Sequence, residues 1–215
     1  ADRLMLAWRQ HVPDLVSIDI SAMRRPTMAQ AMPQIEGARP LETSGSRLPA
    51  PLLDGRFTFD NFVPGKSNVF ALGAARRMAA EKRPAFHPLY LRAETGQGKT
   101  HLLHSIAAAT LARAPQARII LMSAEKFMLE FVAAMRANAM MAFKARLRAA
   151  ELLLIDDLQF IIGKDSTQSE LLHTIEDIMG SGGRLVVSAD RLPHRLDGID
   201  QRLLSRLAGG LVADI

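Results

Sequence analysis

Residues Thr95-Gly96-Gln97-Gly98-Lys99-Thr100 follow the apolar run Pro88-Leu89-Tyr90-Leu91 and lead into His101-Leu102-Leu103. The order reads as a strand, a glycine-rich loop and a helix. That arrangement suits a triphosphate. Gly96 and Gly98 let backbone N–H groups converge on phosphate oxygens, and the helix N-terminus adds a positive dipole end. Lys99 is placed to reach the β- and γ-phosphates, and the Thr100 hydroxyl to hold Mg²⁺. The full loop pattern asks for glycine five residues before Gly98, where this chain has Ala93, followed by Glu94.

Working outward, Glu151-Leu152-Leu153-Leu154-Ile155-Asp156-Asp157-Leu158-Gln159-Phe160 reads as a buried strand ending in two carboxylates. The loop and the acidic strand together point to a P-loop nucleotide-binding core. Other segments fill in its frame. A helix capped by Ser67 or Asn68 is expected over residues 69–81, with Phe70, Ala74 and Met78 on one face. Strands are expected at 89–92, 118–122, 151–156 and 184–188. Helices are expected to about Arg113, over 125–135, 140–149 and 169–179, and over about 200–207. Strands that alternate with helices and look buried on both faces make a three-layer αβα sandwich with a mostly parallel sheet.

The chain has 215 residues, enough for one sizeable core and an extra segment. Residues 4–12 read as a short amphipathic helix with Leu4, Trp8 and Val12 on one face, inside a short N-terminal segment over 1–25. Residues 26–55 have linker composition, rich in Pro, Gly, Ser and Ala. Ordered structure is expected from about residue 56. A formal net charge of +5 favours a polyanionic partner. The chain has no cysteine, which excludes disulfides, iron–sulfur clusters and thiolate zinc. No apolar run approaches the ~20 residues that cross a bilayer, so membrane contact is not expected and a cytoplasmic location is.

Longer stretches carry a family resemblance. They are Phe57-Thr58-Phe59-Asp60-Asn61-Phe62-Val63 with Gly65-Lys66-Ser67-Asn68; Gly98 to His104; Ser123-Ala124-Glu125-Lys126-Phe127; Leu153 to Phe160; and Ser188-Ala189-Asp190-Arg191 with Arg202-Leu203-Leu204-Ser205-Arg206-Leu207. Over about residues 56–215 the chain resembles the AAA+ ATPase domain of the bacterial DnaA family of replication initiators. The resemblance implies ATP or ADP with Mg²⁺, ATP-dependent oligomers on origin DNA, and contact with the replicative helicase or another initiator.

The resemblance also implies roles. Gly65 and Asn68 line the adenine side; Gly96, Gly98, Lys99, Thr100 and His101 contact the nucleotide; Thr100 and Asp156 hold the metal. Asp157 polarises the attacking water, and Ser188 and Asp190 belong to the sensor 1 region. Arg206 is the arginine finger that reaches a neighbour's ATP. Val132, Lys164 and Thr167 contact single-stranded DNA, and Ser166 stands where the family often has arginine.

Three departures accompany these matches. Ala93 and Glu94 replace two glycines, so a methyl and a carboxylate are expected to crowd the phosphate cradle. The family's lid and its duplex-reading domain lie beyond the last residue, Ile215, so duplex-box reading is not expected of this chain. The N-terminal segment is shorter than the family's interaction domain. Two further readings stay open here: a nucleotide-poor paralogue acting as a regulatory interaction module, and a helicase-loader-like ATPase.

Overall fold

The computed structural model describes residue 51 and residues 53–215. The expected helix over 4–12 and most of the expected linker lie outside the described residues. Short apolar runs build the sheet. β1 spans Leu89–Arg92, β2 Ile119–Ser123, β3 Leu152–Asp156, β4 Arg184–Ala189 and β5 Leu211–Asp214. The order is β2-β3-β4-β1-β5, and every pairing is parallel.

Alternate residues of each strand enter different layers, as the two-residue repeat of a strand demands. Leu153 and Ile155 join one buried cluster, while Leu152 and Leu154 join the other. Tyr90, Leu185 and Val187 face the first, and Leu89, Leu91 and Val186 the second. Residues 152–155 are fully buried, and each side chain contributes about 1.5–3 kcal/mol of burial free energy.

The helices complete the sandwich. α1 (Val69–Ala80) and α2 (Lys99–Arg113) cover one face; α3 (Ala124–Arg136), α4 (Met140–Arg148), α5 (Asp165–Gly180) and α6 (Gln201–Ala208) supply the other cluster. No described helix is long and apolar enough to cross a membrane.

Some expectations need correction. Phe70 is 59% exposed, while Ala74 and Met78 are buried. A row of residues four apart drifts about 40° around the helix per step, and Phe70 falls outside the buried sector centred on Ala71, Ala75 and Met78. α5 begins at Asp165, one turn before the expected 169. The strand β5 was not anticipated. It is four residues long, follows Gly209-Gly210 and pairs with β1 from Leu89↔Leu211 to Arg92↔Asp214.

Parallel pairing puts all the carboxyl ends of the strands on one edge. Between β1 and β2 the chain crosses from the middle of the sheet to its far edge, and such a switch point opens a crevice at that edge. The loop after β1 and the acids after β3 both open there.

Candidate nucleotide site

β1 continues one residue further, where Ala93 N donates to Ala189 O at 3.1 Å. The chain then turns through Gly96 (φ 84°) and Gly98 (φ 100°) into α2. Gly98 is required twice over. Its φ is left-handed, and a Cβ there would stand 2.9 Å from Phe62 Cε2. The Gln97 side chain closes the loop by accepting from Glu94 N at 3.1 Å.

Lys99 is 6% exposed. Its ammonium donates to Ala93 O at 2.9 Å and Glu94 O at 3.2 Å, and lies 3.8 Å from Asp157 Oδ1. These partners offset the cost of burying a charge. The expected crowding of the cradle by Ala93 is not found: its methyl belongs to the buried cluster with Leu91, Leu102 and Leu103. Glu94 is exposed.

The acids are tied to the loop and to β4 by a chain of hydrogen bonds. Thr100 Oγ1 donates to Asp156 Oδ2 at 2.6 Å. Ser188 Oγ donates to Asp156 Oδ1 and accepts from Asp157 N at 3.0 Å. Asp157 takes a left-handed turn (φ 55°, ψ 61°), a conformation that Asp tolerates better than most residues. Its Oδ1 accepts from Gln159 Nε2 at 3.0 Å, and Gln159 Oε1 accepts from Asp190 N at 3.3 Å.

Gln159 thus bridges the chain ends after β3 and β4, a role the sequence reading missed. The residue lies past the end of β3, where Leu158–Ile161 forms a 3-10 turn that aims its side chain back at the acids. A Gln159→Ala chain is expected to keep nucleotide affinity within about twofold. Any nucleotide hydrolysis that depends on Asp157 should fall about tenfold, because Asp157 loses a hydrogen bond worth about 1.5 kcal/mol in orientation. Parallel nucleotide titration and phosphate-release assays check this; an unchanged rate would assign Gln159 to packing alone.

Beside the loop lies a cleft of about 570 Å³ lined by Arg92, Glu94, Thr95, Asp190, Arg191 and Arg195, with Leu192 at its side. Asp190 Oδ1 and Arg92 Nε are buried at this edge with no hydrogen-bond partner among the described residues. Tyr90, the only tyrosine in the chain, fixes the cleft's far wall by donating its hydroxyl to Arg191 O at 2.6 Å. Burial pushes the Tyr90 phenol well above its usual pKa, with the Asp190 charge adding to the effect.

Residues 54–62 form an arm across α2. His101 Nε2 donates to Thr58 O at 2.7 Å, since a carbonyl can only accept. His104 Nδ1 accepts from Asp54 N at 3.2 Å. Burial lowers the His104 pKa, which keeps the ring neutral and able to accept. Phe57 packs against both imidazoles, with ring centres 5.0 and 5.4 Å away. The structure therefore engages His101 with the arm. Asn68 Oδ1 accepts from Gly65 N at 2.7 Å and Nδ2 donates to Val63 O at 3.1 Å, which fixes the turn before α1. Asn68 is the N-cap residue, but its side chain makes no capping bond to the helix.

The remaining candidates lie apart. Arg206 sits half-exposed on α6, 3.1 Å from Glu176 Oε1 of α5, and touches none of the loop or acid residues. Val132 is half-buried against the core. Lys164 is exposed just before α5. Thr167 corrects an expectation: it is 4% exposed, because the earlier start of α5 turns it inward.

A parallel β2-β3-β4-β1-β5 sheet, a glycine loop running into Lys99-Thr100, and paired carboxylates after β3 define a P-loop NTPase core of the AAA+ class. The model of the bacterial DnaA ATPase domain matches residues 53–214. The chain belongs to the DnaA family. It is 58% identical over 219 residues to the chromosomal replication initiator protein DnaA of Sphingopyxis alaskensis, covering 100% of this chain and 48% of that protein. It is 43% identical over 242 residues to DnaA of Zymomonas mobilis, covering 100% of this chain and 50% of the relative. The chain therefore spans about half the length of these curated relatives.

Among solved structures, domain III of Thermotoga maritima DnaA superposes with a TM-score of 0.73 at 38% identity, covering 76% of this chain and 68% of that one. A replication initiator DnaA bound to AMPPCP and single-stranded DNA gives a TM-score of 0.73 at 30% identity, covering 77% and 51%. The DnaC helicase loader, at 14% identity and a TM-score of 0.62, shares the fold.

Proposed function

We propose that this chain is the ATP-binding core of a cytoplasmic replication initiator that oligomerises on single-stranded origin DNA. One observation carries the reading: Lys99, Thr100, Asp156, Asp157 and Ser188 converge within hydrogen-bond or ion-pair reach at one end of β1 and β3. The related initiator bound to AMPPCP and single-stranded DNA supports it.

The loop residues fit a triphosphate. Gly96 and Gly98 leave the α2 N-terminus open, and an ammonium resting on two neutral carbonyls gains by turning to charged phosphate oxygens. Thr100 and Asp156 offer a hydroxyl and a carboxylate oxygen, the hard donors that Mg²⁺ prefers, with phosphates and water to complete the set. Bound there, the ion would offset charge between the β- and γ-phosphates. Asp157 is the acceptor for a proton from the attacking water, and Ser188 and Gln159 set its direction.

Arg206 serves a neighbouring subunit. Among the described residues its charged partner is Glu176, on a half-exposed surface where such a pair contributes under about 1 kcal/mol. Turnover is therefore expected to rise with protein concentration. Arg206→Ala should cut the high-concentration rate by about a thousandfold, with folding and the monomer's nucleotide affinity nearly unchanged. Steady-state phosphate release across a concentration series, with nucleotide titration plus and minus Mg²⁺, tests this. Concentration-independent turnover that survives Arg206→Ala would return Arg206 to a surface role. No binding at millimolar nucleotide would remove the reading altogether. Contact with the replicative helicase or another initiator belongs to the same proposal.

A further inference from the structure

The amino ends of the strands, opposite the nucleotide edge, carry a basic cleft of about 280 Å³. Lys82, Arg83, Arg118, Arg148 and Arg184 line it, with Glu151 and the 181–183 turn. Two of the cations are neutralised: Arg118 pairs with Glu151 at 3.4 Å and Arg148 with Asp177 at 2.6 Å. Lys82 and Arg83 are exposed and meet no carboxylate among the described residues.

Arg184 is 7% exposed. Its Nη1 donates to Met78 O at 2.6 Å and Glu81 O at 3.0 Å. No carboxylate lies within ion-pair distance of it among the described residues, although the charge of Glu151, in the same cleft, acts on it. A guanidinium held this far from water gains from a further anion at the mouth of the cleft.

Helix dipoles account for some of this charge. α1, α4 and α5 all end at this edge, each bringing about half a negative charge, and Arg184 binds the last carbonyls of α1. A positive surplus remains, borne by Lys82 and Arg83, which touch no helix terminus carbonyl. The lining also contains no aromatic residue. With no aromatic platform and several cations, the cleft suits a backbone phosphate in preference to a nucleoside.

We infer that this cleft is a second nucleic-acid contact, seating a phosphodiester of a DNA strand between Lys82, Arg83 and Arg184. Strands of four to six residues put it about 13–20 Å from the nucleotide edge of the sheet. The inference rests on the DNA-binding reading above and adds a separate surface to it.

The test is fluorescence anisotropy of a labelled single-stranded oligonucleotide with the whole chain, in ATP, over a salt series. Lys82→Glu with Arg83→Glu is expected to weaken binding about tenfold and to flatten the log–log salt slope by about 1, as loss of one or two phosphate contacts requires. Nucleotide affinity should not change. Arg76→Glu with Arg77→Glu, an equal charge change on the exposed side of α1, should stay near the parent. An equal loss in that control, or no loss in the cleft variant, overturns the inference. If Lys164→Ala weakens binding while the cleft variant does not, the cleft fails and the DNA reading stands. A parent chain that binds no oligonucleotide overturns both.

Discussion

A Lys99→Ala chain is expected to bind Mg-ATP at least about a hundredfold more weakly than the parent. The ammonium makes charge-assisted bonds, each contributing roughly 1.5–3 kcal/mol when it reaches ionised oxygens. Two such bonds to phosphate would be lost. The unliganded chain changes too. Ala93 O and Glu94 O lose their donor, and Asp157 loses the cation 3.8 Å away. The loop should become more mobile, and stability should fall by about 1–3 kcal/mol. Calorimetric titration beside thermal melts separates the effects. Affinity within threefold of the parent would mean that the nucleotide, if bound, is held without this lysine, and the loop assignment would fail.

Gly210→Ala should be the most damaging of the small substitutions. A Cβ at residue 210 would lie 1.9 Å from Pro88 O and 2.5 Å from Pro88 N. Both are backbone atoms at the start of β1, and neither can swing aside as a flexible side chain does. Leu211 N also donates to Pro88 O at 2.9 Å, so separating the segments breaks the first rung of the β1–β5 pairing. The expected cost exceeds about 3 kcal/mol. That lowers the melting temperature by roughly 10 °C for a core of this size. A melting temperature within 2 °C of the parent would show that β5 can shift along β1 without loss.

Central elements were legible because one signal dominated each. The β1 and α2 boundaries matched the sequence reading, since Leu89-Tyr90-Leu91 ends at a glycine loop whose phosphate-binding chemistry requires a helix directly after it. β3 was equally plain, four buried apolar residues closing on an acid. β5 escaped because Leu211-Val212-Ala213 is too short to show a period; only its partner β1 makes it a strand. The place of Gln159 and the burial of Thr167 escaped for a related reason. Both residues come after β3, in a 3-10 turn and in the first turn of a helix that starts four residues earlier than expected, so Thr167 is helical and faces inward where the sequence reading left it in a loop. His101 and His104 lie three residues apart, so they share a face of α2. What they meet, Thr58 and Asp54, lies more than forty residues earlier. No local pattern carries that information.

The close approach of Phe62 to Gly98 makes the arm and the loop a single mechanical part. Phe62 is buried, its ring meets His101 edge-on at 5.3 Å, and it fills the space beside the one residue whose backbone turns the loop into α2. The arm works as a splint. Its grip points are the hydrogen bonds of Asp54 to His104 and of Thr58 to His101, with the Phe57 ring packed on both imidazoles between them. A change in the arm that unseats Phe62 is therefore felt directly at Gly98.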